Sequence, residues 1–128
     1  MTDLITPAPA LAVAGQLLRP LLAPIPVQTK MPEPRPDRIV LVRRPGGAMG
    51  NLVTDRPTLI FHCWALDDVD AEQIASRVRA LLKHHQFALV GDYTLHGWRE
   101  AGCSEHPDPA VTTHARWQVT GTLGISAH

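Results

Sequence analysis

The stretch Ala115-Arg116-Trp117-Gln118-Val119-Thr120-Gly121-Thr122-Leu123-Gly124-Ile125 decides the fold class. Ala115, Trp117, Val119, Gly121, Leu123 and Ile125 alternate with Arg116, Gln118, Thr120 and Thr122. A period of two puts an apolar face and a polar face on one strand. At ~3.3 Å per residue that strand spans roughly 40 Å, long for a small domain. It is therefore expected to exceed what one small domain can bury alone.

Upstream, residues 58–66 read as a second strand, with Leu59, Phe61, Cys63 and Ala65 on one side and Thr58, Ile60, His62 and Trp64 on the other. Apolar side chains on both faces predict a central position in a sheet. Residues 39–44 form a third strand, β-branched at its start and charged at Arg43-Arg44. Gly46, Gly47 and Gly50 follow, so residues 45–56 are expected to be a flexible glycine-rich loop. Residues 93–98 predict a fourth strand, and residues 102–111, with Pro107 and Pro109, a loop.

Two helices complete the pattern. Asp67, Asp68 and Asp70 suit the amide-rich start of a helix whose apolar stripe is Ile74, Val78, Leu81 and Leu82. Thr6-Pro7 predicts the start of an earlier helix carrying Leu11, Ala14, Leu17 and Leu18, and Pro20 predicts its end at about Arg19. Residues 20–37, with six prolines, read as an extended connector in which residues 27–30 pair at most at a sheet edge. The expected fold is α+β, in the order α-β-β-α-β-β: a mostly antiparallel sheet of four or five strands with two helices on one face. A chain of 128 residues is expected to form a single domain.

Composition narrows the function. Twelve basic residues balance twelve acidic ones, so no global field favours a polyanion or an anionic membrane. Ten of the twelve cations are arginine, a mild bias towards desolvated protein contacts. No run approaches the ~18 apolar residues of a membrane span, and Asp3 stands where a secretory leader would carry positive charge. Cys63 and Cys103 are too few and too far apart for a disulfide framework.

Catalytic chemistry finds no foothold. Cys103, His106 and His114 are the best metal-ligand candidates, but a structural zinc site needs four ligands and no second pair stands at the expected spacing. Ser76, Ser104 and Ser126 lack the G-x-S-x-G turn of an exposed nucleophile. The segment Gly46-Gly47-Ala48-Met49-Gly50 lacks the Lys and Ser/Thr of a phosphate-binding loop. No catalytic residue, metal ligand or cofactor is expected. The candidate contact residues are Arg43, Arg44, Gly46, Gly47, Asp55 and Arg56, whose charges at the loop base suit pairing across a subunit boundary, together with Trp117 as an aromatic anchor.

The order of features resembles the tail terminator proteins of long-tailed bacteriophages, also called tail completion or head-to-tail joining proteins. A helix leads through Pro32 and Arg35-Pro36 to Ile39-Val40-Leu41-Val42-Arg43-Arg44 with Gly46-Gly47. Asp55-Arg56-Pro57 then turns into Leu59-Ile60-Phe61-His62-Cys63-Trp64-Ala65, and Pro107-Asp108-Pro109 precedes Arg116-Trp117-Gln118-Val119-Thr120-Gly121-Thr122-Leu123. The likeness covers roughly residues 10–126 and rests on order and spacing. It implies a virion protein of the tail-neck junction, assembled in the host cytoplasm. In that family a homo-oligomeric, hexameric ring caps the tube of major tail protein, stops its growth and docks the head connector, and DNA passes through the lumen without sequence-specific binding. It implies no membrane and no catalytic residue, and places candidate contact loops at residues 45–56 and 102–110. The alternatives are another neck or head completion protein and, in a different class, a small metal- or ligand-binding enzyme domain.

Overall fold

A computed structural model of the chain describes residue 4, residues 6–49 and residues 54–127. In chain order these form α1 (Ala10–Leu22), β1 (Val27–Gln28), β2 (Ile39–Met49), β3 (Thr54–Ala65), α2 (Asp68–His84), β4 (Leu89–Val90), β5 (Tyr93–Glu105) and β6 (Ala115–Ala127). The fold is α+β. Its sheet has six strands rather than the expected four or five, in the order β1-β2-β3-β6-β5-β4, and is mixed, because β1 runs parallel to β2 while every other pair is antiparallel; the two-residue strands β1 and β4 change the expected element order to α-β-β-β-α-β-β-β.

Both helices pack on one face of this sheet. A single large apolar cluster joins Val13, Leu18 and Leu22 of α1 and Ile74, Val78 and Leu82 of α2 to Val42, Phe61, Val119 and Ile125 of the strands. On the opposite face, Ile39, Leu41 and Trp64 form a small second cluster under Met31 and Val111. The alternation in β3 therefore serves two cores, as expected of a central strand.

Several expectations are corrected. The first helix begins at Ala10, not at Thr6-Pro7: Pro9 occupies the cap position, with its carbonyl accepting the Val13 amide at 3.0 Å. A proline disfavours helical geometry in the residue before it, so Ala8 cannot join the helix. Nor does the helix stop at Arg19. Pro20 removes one helical hydrogen bond in the last turn, and the turn persists because Leu22 is fully buried and Arg77 donates to the Leu21 carbonyl at 2.8 Å. The 20–37 connector is thereby shortened, and it also supplies β1, an edge strand as its position allows.

In the glycine-rich span 45–56, residues 45–49 and 54–56 are paired strand rather than loop, and residues 50–53 lie outside the described residues. Gly46 pairs with Thr58, Gly47 with Pro57, Ala48 with Arg56 and Met49 with Asp55, after a bulge between Arg43 and Gly46. Gly50 lies outside the described residues. Gly47 has φ 105°, and a Cβ there would stand 2.5 Å from the Thr58 amide nitrogen, so only glycine fits. The fourth strand likewise runs on through residues expected to be loop, to Glu105. Finally, the long last strand is covered within the chain: β6 lies between β3 and β5, paired with both along most of its length. The expectation that it overhangs the domain is overturned.

Candidate partner and subunit surfaces

The hairpin gathers six of the seven candidate contact residues. Arg44 Nη1 lies 3.0 Å from Asp55 Oδ2 in an ion pair, outside hydrogen-bond geometry, while Nη2 donates to Oδ1 at 3.4 Å. Asp55 is only 3% exposed and also accepts the Arg56 amide at 3.0 Å. This pair is internal bracing of the hairpin. Arg43 is exposed and donates to the Thr29 carbonyl at 2.7 Å, tying β2 to the connector. Arg56 is exposed, and no ion pair engages its guanidinium among the described residues. Trp117 does not join them. It sits near the far end of β6, half-buried against the main core, with its indole nitrogen buried and without a hydrogen-bond partner.

The other metal and nucleophile candidates separate as well. Cys103 lies on the helix-facing side with Arg79 and Glu100 as its charged neighbours, and burial pushes its thiol pKa up. His106 stacks on His62 at 6.2 Å between ring centroids, and His114 meets Trp64 edge-on at 6.4 Å while its Nε2 reaches the Pro36 carbonyl at 2.9 Å. Among the described residues no group of three or more His, Cys, Asp or Glu side chains converges. Among the described residues no helix is long and apolar enough to cross a membrane.

Two features escaped the sequence reading. The first is Trp64, held between Arg35 at 4.7 Å and Arg116 at 5.0 Å from its ring centroid. Arg116 in turn donates to the His106 carbonyl at 2.6 Å and lies 3.9 Å from Asp108. Connector and loop thus clamp one end of the open sheet face. The proline spacing of the connector gave no hint that it folds back over a tryptophan.

The second is a pair of bare sheet edges. β1 covers only Val40 and Leu41 of β2, and β4 covers only Tyr93 and Thr94 of β5, with Ala88 and Gln86 accepting the amides of Leu95 and Gly97. Beyond these points no strand flanks residues 42–49 on one side of the sheet or residues 99–105 on the other, among the described residues. The bulge, Pro45 and the arginines blunt the β2 edge against indiscriminate pairing. The β5 edge is less defended. Because the His106 amide donates inward to Arg116 and backbone direction alternates along a strand, the Glu105 amide points outward.

His62 sits on the open face, its Nε2 3.1 Å from Gln118 Oε1. Burial lowers its pKa below the ordinary 6.5, helped by the charges of Arg116, His106 and Arg43 and opposed by the Gln118 hydrogen bond. The unfolded chain takes up a proton at the ordinary value while the folded chain resists. His62 therefore contributes full stability above about pH 6.5, and this is lost as pH falls towards the depressed value. Acidification from about pH 7 to pH 5 is expected to lower Tm more in the parent than in His62→Gln. Equal losses in both proteins, measured by circular dichroism, would remove His62 from the account.

No protein-family model matches the chain, and no curated protein matches it.

Proposed function

We propose that this chain is a ring-forming structural subunit in the role of a phage tail terminator: copies close into a ring on the finished tail tube, stop its growth and present a docking surface to the head connector. The observation that carries this reading is the pair of bare edges on opposite flanks of one sheet. From the pairings, β2 and β5 run in opposite directions, so the β2 edge of one copy meets the β5 edge of the next as an antiparallel pair. Such a contact joins two different surfaces, and repeated around an axis it closes into a ring that leaves no edge exposed. The free β2 segment lies near the hairpin end of the sheet and the free β5 segment near the other, so neighbours are staggered and the strands tilt to the ring axis.

Glu105→Pro tests the edge contact. It removes an outward amide without touching the β5 to β6 ladder and is expected to leave the circular dichroism spectrum unchanged while abolishing higher-mass species. Light scattering with and without purified tail tubes, and electron microscopy of tube ends, read the outcome. A parent protein that stays monomeric at every concentration and ignores tubes overturns the proposal.

A further inference from the structure

The geometry points to a phosphate-binding cleft for the nucleic-acid backbone on the open sheet face, made by Arg56, His96, Arg99 and Thr122. The argument begins with how the sheet sorts charge. The chain is neutral as a whole, with twelve cations against twelve carboxylates. Strand register distributes them unequally.

On the open face β3 presents Arg56, Thr58, Ile60 and His62, and β6 presents Thr122, Thr120 and Gln118 beside them. Arg99 pairs with Thr122 on the next strand, and Arg43 with Ile60 on the other side. No Asp or Glu occupies an open-face position of these four strands among the described residues. Asp55 is buried against Arg44, Glu100 is held by Arg79 on the helix side, Asp67, Asp68 and Asp70 gather at the start of α2, and Asp108, from the loop over the far end of this face, is already paired with Arg116. Neutrality of the total thus conceals a hairpin end of the open face that carries cations and no carboxylate among the residues lining its cleft.

The cleft of about 420 Å³ at the hairpin end of this face concentrates that sign. Gly124 lies next to it: a Cβ there would stand 3.1 Å from the His96 Cβ and 3.2 Å from Arg56 Nη1, so a larger residue would push on both side chains. Arg56 and Arg99 are exposed, and neither guanidinium is engaged by an ion pair among the described residues. His96 is oriented by a short hydrogen bond to Ser126. Two unneutralised guanidinium groups on strands roughly 10 Å apart, with the threonine of the strand between them lining the same cleft, suit successive oxyanions of a polymer better than one small anion. The arginines lie on a broad sheet face with no helix or ribbon to enter a groove, so they meet phosphates and recognition is independent of sequence. The inference concerns one chain and holds whether or not copies close into a ring.

Fluorescence anisotropy of two labelled duplex DNAs of unrelated sequence, titrated with free protein over a range of sodium chloride, tests it. Both duplexes are expected to bind equally, with log K falling against log salt with a slope of about −2 to −3, one counterion step of ~0.9 per phosphate contacted. Arg56→Gln combined with Arg99→Gln is expected to remove about two units of slope and weaken low-salt binding by roughly tenfold or more. Lys83→Gln on the helix side leaves the slope unchanged. Should the double variant misfold, Arg99→Gln alone removes about one unit. The proposal falls if neither duplex binds at low salt, if a folded variant keeps the parental slope, or if polyglutamate of equal charge binds as tightly as DNA.

Discussion

Phe61→Ala is expected to destabilise the fold by about 3–5 kcal/mol, the largest effect of any single truncation in this chain. Phe61 is fully buried at the centre of β3, paired with Val42 on one side and Val119 on the other. Its ring meets Trp98 edge-on, with centroids 5.9 Å apart and planes at 71°. Truncation forfeits the transfer energy of the ring, the edge-to-face contact and the dispersion of a tightly packed site. The surroundings cannot collapse to compensate, because Trp98 is fixed from behind: a Cβ on Gly121 would lie 2.5 Å from its Cη2. With total stabilities of about 5–15 kcal/mol, such a loss leaves the variant near its unfolding threshold. Urea denaturation followed by tryptophan fluorescence measures it, and Phe61→Leu is expected to lose only about 1–2 kcal/mol. A loss under about 1 kcal/mol for the alanine variant would mean that the core is centred elsewhere.

The same region shows what the sequence makes legible. An uninterrupted alternation of apolar and polar residues reports a regular strand, and β6 keeps one register with β3 from Thr54 to Ala65. The acidic start of α2 was equally plain, because the Asp67 side chain accepts the Asp70 amide at 2.8 Å as its position predicts. The sequence predicts only residues 93–98 of β5 for a physical reason. Two irregularities, between Leu95 and Trp98 and between Glu100 and Gly102, reset which face each residue takes, so its period of two is broken twice. One bulge in β2 has the same effect, and glycines chosen for close approach there look like glycines chosen for mobility. The two-residue strands β1 and β4 leave no periodic trace at all.

The candidate site was legible in part and for a different reason. Clustered charge at 43–56 is visible in one dimension, but which arginine is spent inside the fold is a three-dimensional fact. Arg99 stands among strand residues with no motif around it, and only the register of β5 against β6 sets it beside Thr122, in the cleft that Arg56 also lines. Composition could not find the cleft either, because the carboxylates are as numerous as the cations and only the strand register keeps them out of its lining.

That distinction makes Arg44→Ala the sharpest test of how the hairpin is built. Removing the guanidinium leaves the Asp55 carboxylate, 3% exposed, without a countercharge. Breaking a buried pair from one side costs about 3–5 kcal/mol when both partners are desolvated. Here Arg44 is 31% exposed, so water reaches the gap and the expected loss is about 2–3 kcal/mol, read from the urea midpoint. Asp55→Asn should cost less, since Oδ1 can still accept the Arg56 amide and the stranded arginine can turn to solvent. Replacing both residues with apolar ones of similar size is expected to recover most of the loss, because no buried charge remains. If Arg44→Ala instead proves neutral in stability, Asp55 is hydrated in solution and the pair is no brace. A change in Arg44 therefore affects assembly by loosening the hairpin, whereas a change in Arg56 leaves the hairpin intact and alters only what its surface can attract.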